Sequence, residues 1–289
     1  MAYRFKSSDR TITDGVRRIA AREFLLVREV LADKSLPASR KVHEGRKATK
    51  RLRALLRLIG PAMPEAKAEI AALRDSARRL SSLRDRGAMA ETLATLKMPD
   101  DLAERLTTLI APGKFLAPRG TSKLLITFAG EMADAESRAE GWTVSGKGWP
   151  ALEPGLRKSY RGLRRALAAA ETTDDEEPVH DLRKRAKDYW YHTQLLRDVF
   201  PDVMDVYAAA GERLCDDLGT WRDLGLLSEA IGALPAHRLA KADAADADGI
   251  ISKARRRALK RALRTVRLLT AEPAAEYTER LGTWWRRTR

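Results

Sequence analysis

The chain has 289 residues, of which 44% are hydrophobic and 33% are charged, and its formal net charge is +15 at pH 7. This composition excludes an intrinsically disordered chain, and the charge favours a polyanion over a cation or a neutral solute as the partner. Cys215 is the only cysteine, which excludes an internal disulfide and a multi-cysteine zinc site. Because we find neither a signal-peptide core nor a run of about eighteen apolar residues, we expect a soluble cytoplasmic protein without membrane contact.

Helical periodicity accounts for most of the first 140 residues. Val16, Phe24 and Val27 recur at helical spacing and predict a helix over 15–31, with Thr13-Asp14 as its cap. A basic helix follows and ends at Gly60-Pro61. The same periodicity predicts four more helices in this half, over 65–80, 89–96, 102–110 and 123–140. Since aromatic and β-branched residues are scarce, we expect an all-α fold.

The basic helix, from Val42 to Ile59, has one apolar and one cationic face. Its apolar residues fall three and four positions apart, and so do its cationic or titratable ones. The second set consists of His43, Arg46, Lys47, Lys50, Arg53 and Arg57. One face is therefore expected to be buried, and the other to present several positive charges together.

A similar pattern recurs 137 residues downstream, where His180, Arg183, Lys184 and Lys187 keep the H-x-x-[RK]-[RK]-x-x-K spacing. A second motif, Leu-x-x-x-Arg-Asp, begins at Leu80 and again at Leu218, at nearly the same offset. Two repeats at one offset indicate two related halves. Glycines and a proline between 141 and 150 mark the boundary. We therefore predict an N-terminal half over 8–140, a linker over 141–154 and a C-terminal half over 155–289.

The C-terminal half contains two further basic helices. A helix over 155–170 carries Arg157, Lys158 and Arg161 with no acid among them, and an acidic loop over 172–177 precedes a helix predicted to start at Pro178. Residues 235–249, rich in alanine and aspartate, are predicted to form a mobile loop. The helix over 250–269 is again free of acids, and its cations include Lys253, Arg256 and Lys260. Acid-free stripes repeated on several helices favour an anion-binding surface over ordinary solvated faces.

The paired H-x-x-R-[KR]-x-x-K helices, each followed by an L-x-x-x-R-D segment, resemble the CHAD family, the conserved histidine α-helical domain. The resemblance covers roughly residues 8 to 270. It implies an all-α fold of two pseudo-symmetric antiparallel helical bundles around a basic groove or pore that binds inorganic polyphosphate, and an association with polyphosphate granules. The sequence departs from the family where Trp190-Tyr191 replaces an Arg-Tyr pair, so either one anion contact is missing or the neighbouring Arg185 supplies it.

The resemblance carries its basic motif onto residues of both halves, including Arg51, and its Arg-Asp pair onto Arg84-Asp85 and Arg222-Asp223. Together with the acid-free helices, this defines the predicted polyphosphate-binding set. Its members are His43, Arg46, Lys47, Lys50, Arg51, Arg53, Arg57, Arg84, Arg157, Lys158, Arg161, His180, Arg183, Lys184, Lys187, Arg222, Lys253, Arg256 and Lys260.

Two other classes of function compete with this interpretation. A nucleic-acid-associated protein could use the same cations on phosphates, although the basic faces lack the interleaved aromatics of single-strand binders. A metal-dependent phosphatase would need a cluster of ligands, and neither His43 nor His180 begins an H-x-x-x-H pair. Asp85 and Asp223 favour structural pairing with arginine over catalysis. We therefore predict no catalytic residue, no metal and no cofactor, and we expect the two histidines to donate hydrogen bonds to phosphate.

Overall fold

The computed structural model describes residues 3–80, 86–110, 120–172, 175–235 and 237–288. Within these ranges the regular elements are helices and none is a strand, so the predicted all-α fold is confirmed. The helices of the first half are α1 (Ile12–Ala32), α2 (Ala38–Ile59), α3 (Ala66–Arg79), α4 (Arg86–Ala94), α5 (Asp100–Ile110) and α6 (Thr121–Glu140). Those of the second half are α7 (Trp149–Glu171), α8 (Glu176–Leu195), α9 (Pro201–Gly232), α10 (Lys241–Leu269) and α11 (Ala274–Thr288).

The first bundle is built from α1, α2, α3 and α6, which pack against one another. Phe24 of α1, Leu52 of α2 and Phe128 of α6 are almost fully buried in its core. The chain enters α1 through a capping box in which the Thr11 side chain accepts from the backbone of Asp14, and the Asp14 carboxylate accepts in return. The N-cap is thus Thr11, two residues earlier than predicted.

The second bundle consists of α7, α8, α9 and α10, and α11 packs on α7. Tyr160 of α7 stacks on Tyr277 of α11 with ring centroids 4.1 Å apart. Trp285 of α11 packs against Trp149 of α7, with ring centroids 6.0 Å apart, and is buried, so it helps to hold the C-terminal helix on the second bundle.

The two bundles share one hydrophobic core because α2 packs on both α7 and α8. The closest approach is at Gly155, where an added Cβ would lie 1.8 Å from the carbonyl oxygen of Leu58. Only a residue without a side chain lets the backbones of α2 and α7 come so close. A second apolar cluster joins α4 and α5 to α9 and α10, with Leu106 and Leu227 fully buried. Helices of the first half thus cover part of the second.

Most helices start earlier than predicted, with the largest differences at α7 and α10, and the predicted mobile loop over 235–249 is largely wrong. Residues 241–249 form the first turns of α10, because alanine favours helix and Ala247 and Ile251 are buried in the cluster with α4 and α5. Helix α7 begins at Trp149, with Pro150 in its first turn. Helix α2 begins at Ala38, which places His43 in the second turn.

Candidate functional site

The cationic residues of α2 form a ridge that lies beside α3. Arg46, Lys50, Arg53 and Arg57 recur at intervals of three and four residues, and all are half-buried. Arg46 is fixed by a hydrogen bond of 3.0 Å from its Nη1 to the carbonyl oxygen of Ala77, at the end of α3. Packing of their aliphatic stems therefore positions the charges of this first ridge before any ligand arrives.

Of these four cations, Arg53 has the least favourable electrostatic environment. Its Nε is buried and has no hydrogen-bond partner among the described residues. Burial, followed by repulsion from Arg57 and Arg74, lowers the pKa of its guanidinium to about 10, although Asp188 partly opposes this. A cation that is partly removed from water and lies near other cations is strongly stabilised when an anion binds to it.

A second ridge follows α8, with His180, Arg183 and Lys187 half-buried and Lys184 exposed. Arg183 and Lys187 face α9 near Cys215. Burial raises the pKa of that thiol to about 12, and the two cations oppose the rise. Cys215 is a buried free thiol.

His180 lies where the second ridge meets α9. Its ring contacts Trp221 edge to face, with centroids 5.1 Å apart. Burial and then the positive charge of Arg222 lower the pKa of His180, and burial likewise lowers the pKa of His43. The structure therefore brings His180 and Arg222 of the predicted set together beside α8.

The two helices that carry the ridges, α2 and α8, contact each other. Arg57 donates from Nη1 to Oδ1 of Asp188 at 2.7 Å, and Nε2 of His192 donates to the carbonyl oxygen of Ala54 at 2.9 Å. Asp188 acts electrostatically on Arg53 as well. Asp188 of the second half thus neutralises part of the positive charge of Arg53 and Arg57 in the first half.

Other members of the predicted set lie elsewhere. Arg51 faces Glu23 of α1 at 3.4 Å, and its guanidinium lies over the ring of Tyr3. Lys158 and Arg161 are exposed on the outer face of α7, while Arg157 pairs with Glu153. Lys253, Arg256 and Lys260 of α10 are exposed. Arg84 lies outside the described residues.

The basic stripe of α10 is free of acids in sequence but not in space. Three of its arginines form ion pairs with carboxylates from three other helices. The pairs are Arg255 with Glu176 of α8, Arg261 with Asp217 of α9 and Arg267 with Glu171 of α7. Such pairing is invisible in a sequence pattern, because it depends on which helices become neighbours.

Helix α3 supplies cations that the sequence motifs did not identify. Arg74 and Arg78, one turn apart, line a cavity of about 610 Å³ with Asp75 and Arg79, and the charge of Arg74 reaches Arg53. Their four-residue spacing was the available signal, but a single turn of basic residues is common on solvated helices. The described residues contain no group of three or more histidine, cysteine or carboxylate side chains that could hold a metal ion.

An all-helical protein of two bundles, with one basic ridge on the repeated helix of each, is the class that this architecture defines. The family model of the CHAD domain matches residues 12–232, and the chain therefore belongs to the CHAD family. The crystal structure of the CHAD domain from the plant Ricinus communis has a similar fold, with a TM-score of 0.59. That match covers 93% of this chain and 96% of the plant domain at 17% sequence identity.

Searches of other kinds add little to this assignment. No curated protein matches the chain significantly. Among the described residues, no helix is both long and apolar enough to cross a bilayer.

Proposed function

We propose that the two ridges bind inorganic polyphosphate without transforming it, and that this binding places the protein at polyphosphate granules. The observation that carries the proposal is that the repeated helices α2 and α8 each carry a row of cations and are joined by the ion pair between Arg57 and Asp188. The CHAD family membership supports the same ligand.

The ridges suit a long, flexible anion. Arg46 and Arg57 lie eleven residues apart on α2, which corresponds to about 16 Å along the helix axis. A chain that carries a charge on every repeating phosphate can contact successive cations over that distance. Guanidinium groups bind phosphate oxygens through two parallel hydrogen bonds, and ammonium groups bind them as point charges.

The carboxylates near the ridges have structural partners, so the proposal includes no bond cleavage. Asp188 is bound to Arg57, and Asp181 lies 3.4 Å from Arg185 on the next turn of α8.

Arg185 packs its aliphatic stem 3.5 Å from the position of a Cβ on Gly162, between α7 and α8. It lies where the outer face of α7 adjoins the ridge of α8.

The test is a fourfold variant in which Arg46, Lys50, Arg183 and Lys187 become alanine. Its affinity for long-chain polyphosphate, measured by fluorescence anisotropy, should fall by at least about tenfold, and the salt dependence should become shallower because fewer counterions are released. The matched control replaces four exposed cations outside the ridges, Lys34, Lys67, Lys147 and Arg287, with alanine. An equal loss in the control would show that net charge alone governs binding.

Competition with nucleic acid tests the class of ligand. Polyphosphate should displace duplex and single-stranded DNA of matched charge at physiological salt, since the ridges offer no aromatic stacking platform among the described residues. If DNA wins, the proposal fails. A fluorescent fusion should colocalise with polyphosphate granules, and the fourfold variant should not.

A further inference from the structure

A cavity of about 450 Å³ lies at the outer end of the second bundle, between the end of α4 and the helices α9 and α10. Three stretches that are distant in sequence line it. They contribute Thr95, Leu96 and Lys97, then Thr220 and Leu224, and finally Ile250, Lys253, Ala254, Arg257 and Arg261. Its volume is in the range of small-molecule binding sites.

This cavity, which we term the α10 cavity, is separate from the two ridges. Helix α9 presents Cys215 towards the ridge cations of α8, whereas Asp217 and Leu224 of the same helix point to α10. Arg261 is held by Asp217 through a hydrogen bond of 2.8 Å from its Nε. The α10 cavity therefore lies on the opposite flank of α9.

The α10 cavity is rimmed by cations. Lys253, Arg257 and Arg261 occupy successive turns of α10, and Lys97 approaches from the segment between α4 and α5. Within the described chain, no carboxylate lies within ion-pair distance of Lys97, Lys253 or Arg257, and all three are exposed. Because successive turns are about 6 Å apart along the axis, one phosphate group cannot engage the whole rim.

Its floor is apolar. Leu224 is buried, and Leu96, Ile250 and Ala254 are half-buried beneath the cations. An inorganic phosphate chain would cover this floor with charged oxygens that gain nothing from it. A ligand with an apolar part could bury that part on the floor while its phosphates reach the rim.

We propose that the α10 cavity binds a small organic phosphate ester with at least two phosphoryl groups. The phosphates contact Lys253, Arg257 and Lys97, and the organic part covers Leu224 and Ala254. This site goes beyond the proposed polyphosphate function and does not depend on it, since it shares no residue with the two ridges.

The experiment is isothermal titration with adenosine triphosphate, without divalent metal, into the fourfold ridge variant described above. That background lacks four of the ridge cations, and the two double variants below show whether the remaining binding belongs to the α10 cavity even if the polyphosphate proposal fails. We expect one saturable site. Adding Lys253→Ala and Arg257→Ala should weaken it at least about tenfold, as two charge-assisted contacts are lost. Adding Arg164→Ala and Arg165→Ala instead, on the exposed face of α7, should change it less than about twofold.

Two further measurements separate the parts of the proposal. Thr220→Trp fills the α10 cavity without changing charge and should abolish binding, while circular dichroism confirms the helical fold. Inorganic tripolyphosphate should bind at least about threefold more weakly than the nucleotide, because it cannot use the floor. Equal affinity for both ligands overturns the organic part of the proposal. Equal losses in the two double variants, or no saturable site, overturn the α10 cavity as a binding site.

Discussion

Arg57 of α2 and Asp188 of α8 form an ion pair of 2.7 Å that joins the two repeated helices across the centre of the molecule. The repeat does not explain this pair, because the residue that matches Asp188 in α2 is Arg51 and the residue that matches Arg57 in α8 is Gln194. The two halves have therefore diverged to complementary charges at their junction. Asp188 holds the junction together and also reduces the charge available to an anion.

Replacing Asp188 with asparagine should separate these two roles. We expect the free energy of unfolding to fall by roughly 1–3 kcal/mol, since Arg57 and Arg53 would lose their nearby carboxylate in a half-buried site. Polyphosphate affinity should rise, because the same cations become available. Urea denaturation and anisotropy measure the two effects. The exposed Asp134→Asn makes the same charge change on α6, and it should alter neither quantity appreciably. Opposite signs for stability and affinity are the required result.

Arg53→Met should show the reverse pattern. The buried Nε without a hydrogen bond and the lowered pKa indicate that this guanidinium costs stability in the free protein. Methionine keeps the packing of the stem, so we expect a gain of about 0.5–2 kcal/mol in the free energy of unfolding. Polyphosphate affinity should fall by about three- to tenfold. A variant that loses stability would contradict the interpretation of Arg53 as a desolvated, unsatisfied cation.

The sequence predicted the helices and cations of the candidate site better than their arrangement. The 3.6-residue period predicted that the cationic residues between His43 and Arg57 share one face of α2, because side-chain direction within a helix is fixed locally. The ion pair between Arg57 and Asp188 depends on how α2 crosses α8, and no local sequence pattern contains that information. The ion pairs of α10 and the contribution of Arg74 were missed for the same reason. The start of α10 was missed because its alanines pack against α4 and α5, a contact between distant segments.

Acidification should strengthen polyphosphate binding through protonation of His43 and His180. Burial lowers the pKa of both His43 and His180 from 6.5, so both are neutral at pH 7 in the free protein. A bound polyanion favours the protonated form, and affinity should therefore be nearly constant between about pH 8 and 7 and rise as pH falls below about 6.5. Binding isotherms over this range test the expectation. The double variant His43→Gln and His180→Gln should lose the rise; if it keeps the full rise, other groups are responsible.

Gly155→Ala should destabilise the junction of the bundles. The new Cβ would meet the Leu58 carbonyl, and backbone cannot move aside as a flexible side chain can. We expect a loss of about 3 kcal/mol or more in the free energy of unfolding. Gly130→Ala is the matched control, since nothing lies within 4 Å of its added Cβ in the middle of α6. It should instead stabilise the protein by about 0.5–1 kcal/mol. Similar midpoints for the two variants in urea would argue against the close helix contact.

The cover that α4 and α5 provide over α9 and α10 has a consequence for how the chain can be divided. Cutting between α6 and α7 would leave Leu224 and Leu227 of one fragment without the residues that bury them, and Leu102 and Leu106 of the other equally bare. Each fragment alone is expected to aggregate or to remain partly unfolded, whereas mixing both should restore a single assembly. Although its sequence repeats, the protein is therefore expected to fold as a single cooperative unit, and neither half is expected to fold alone.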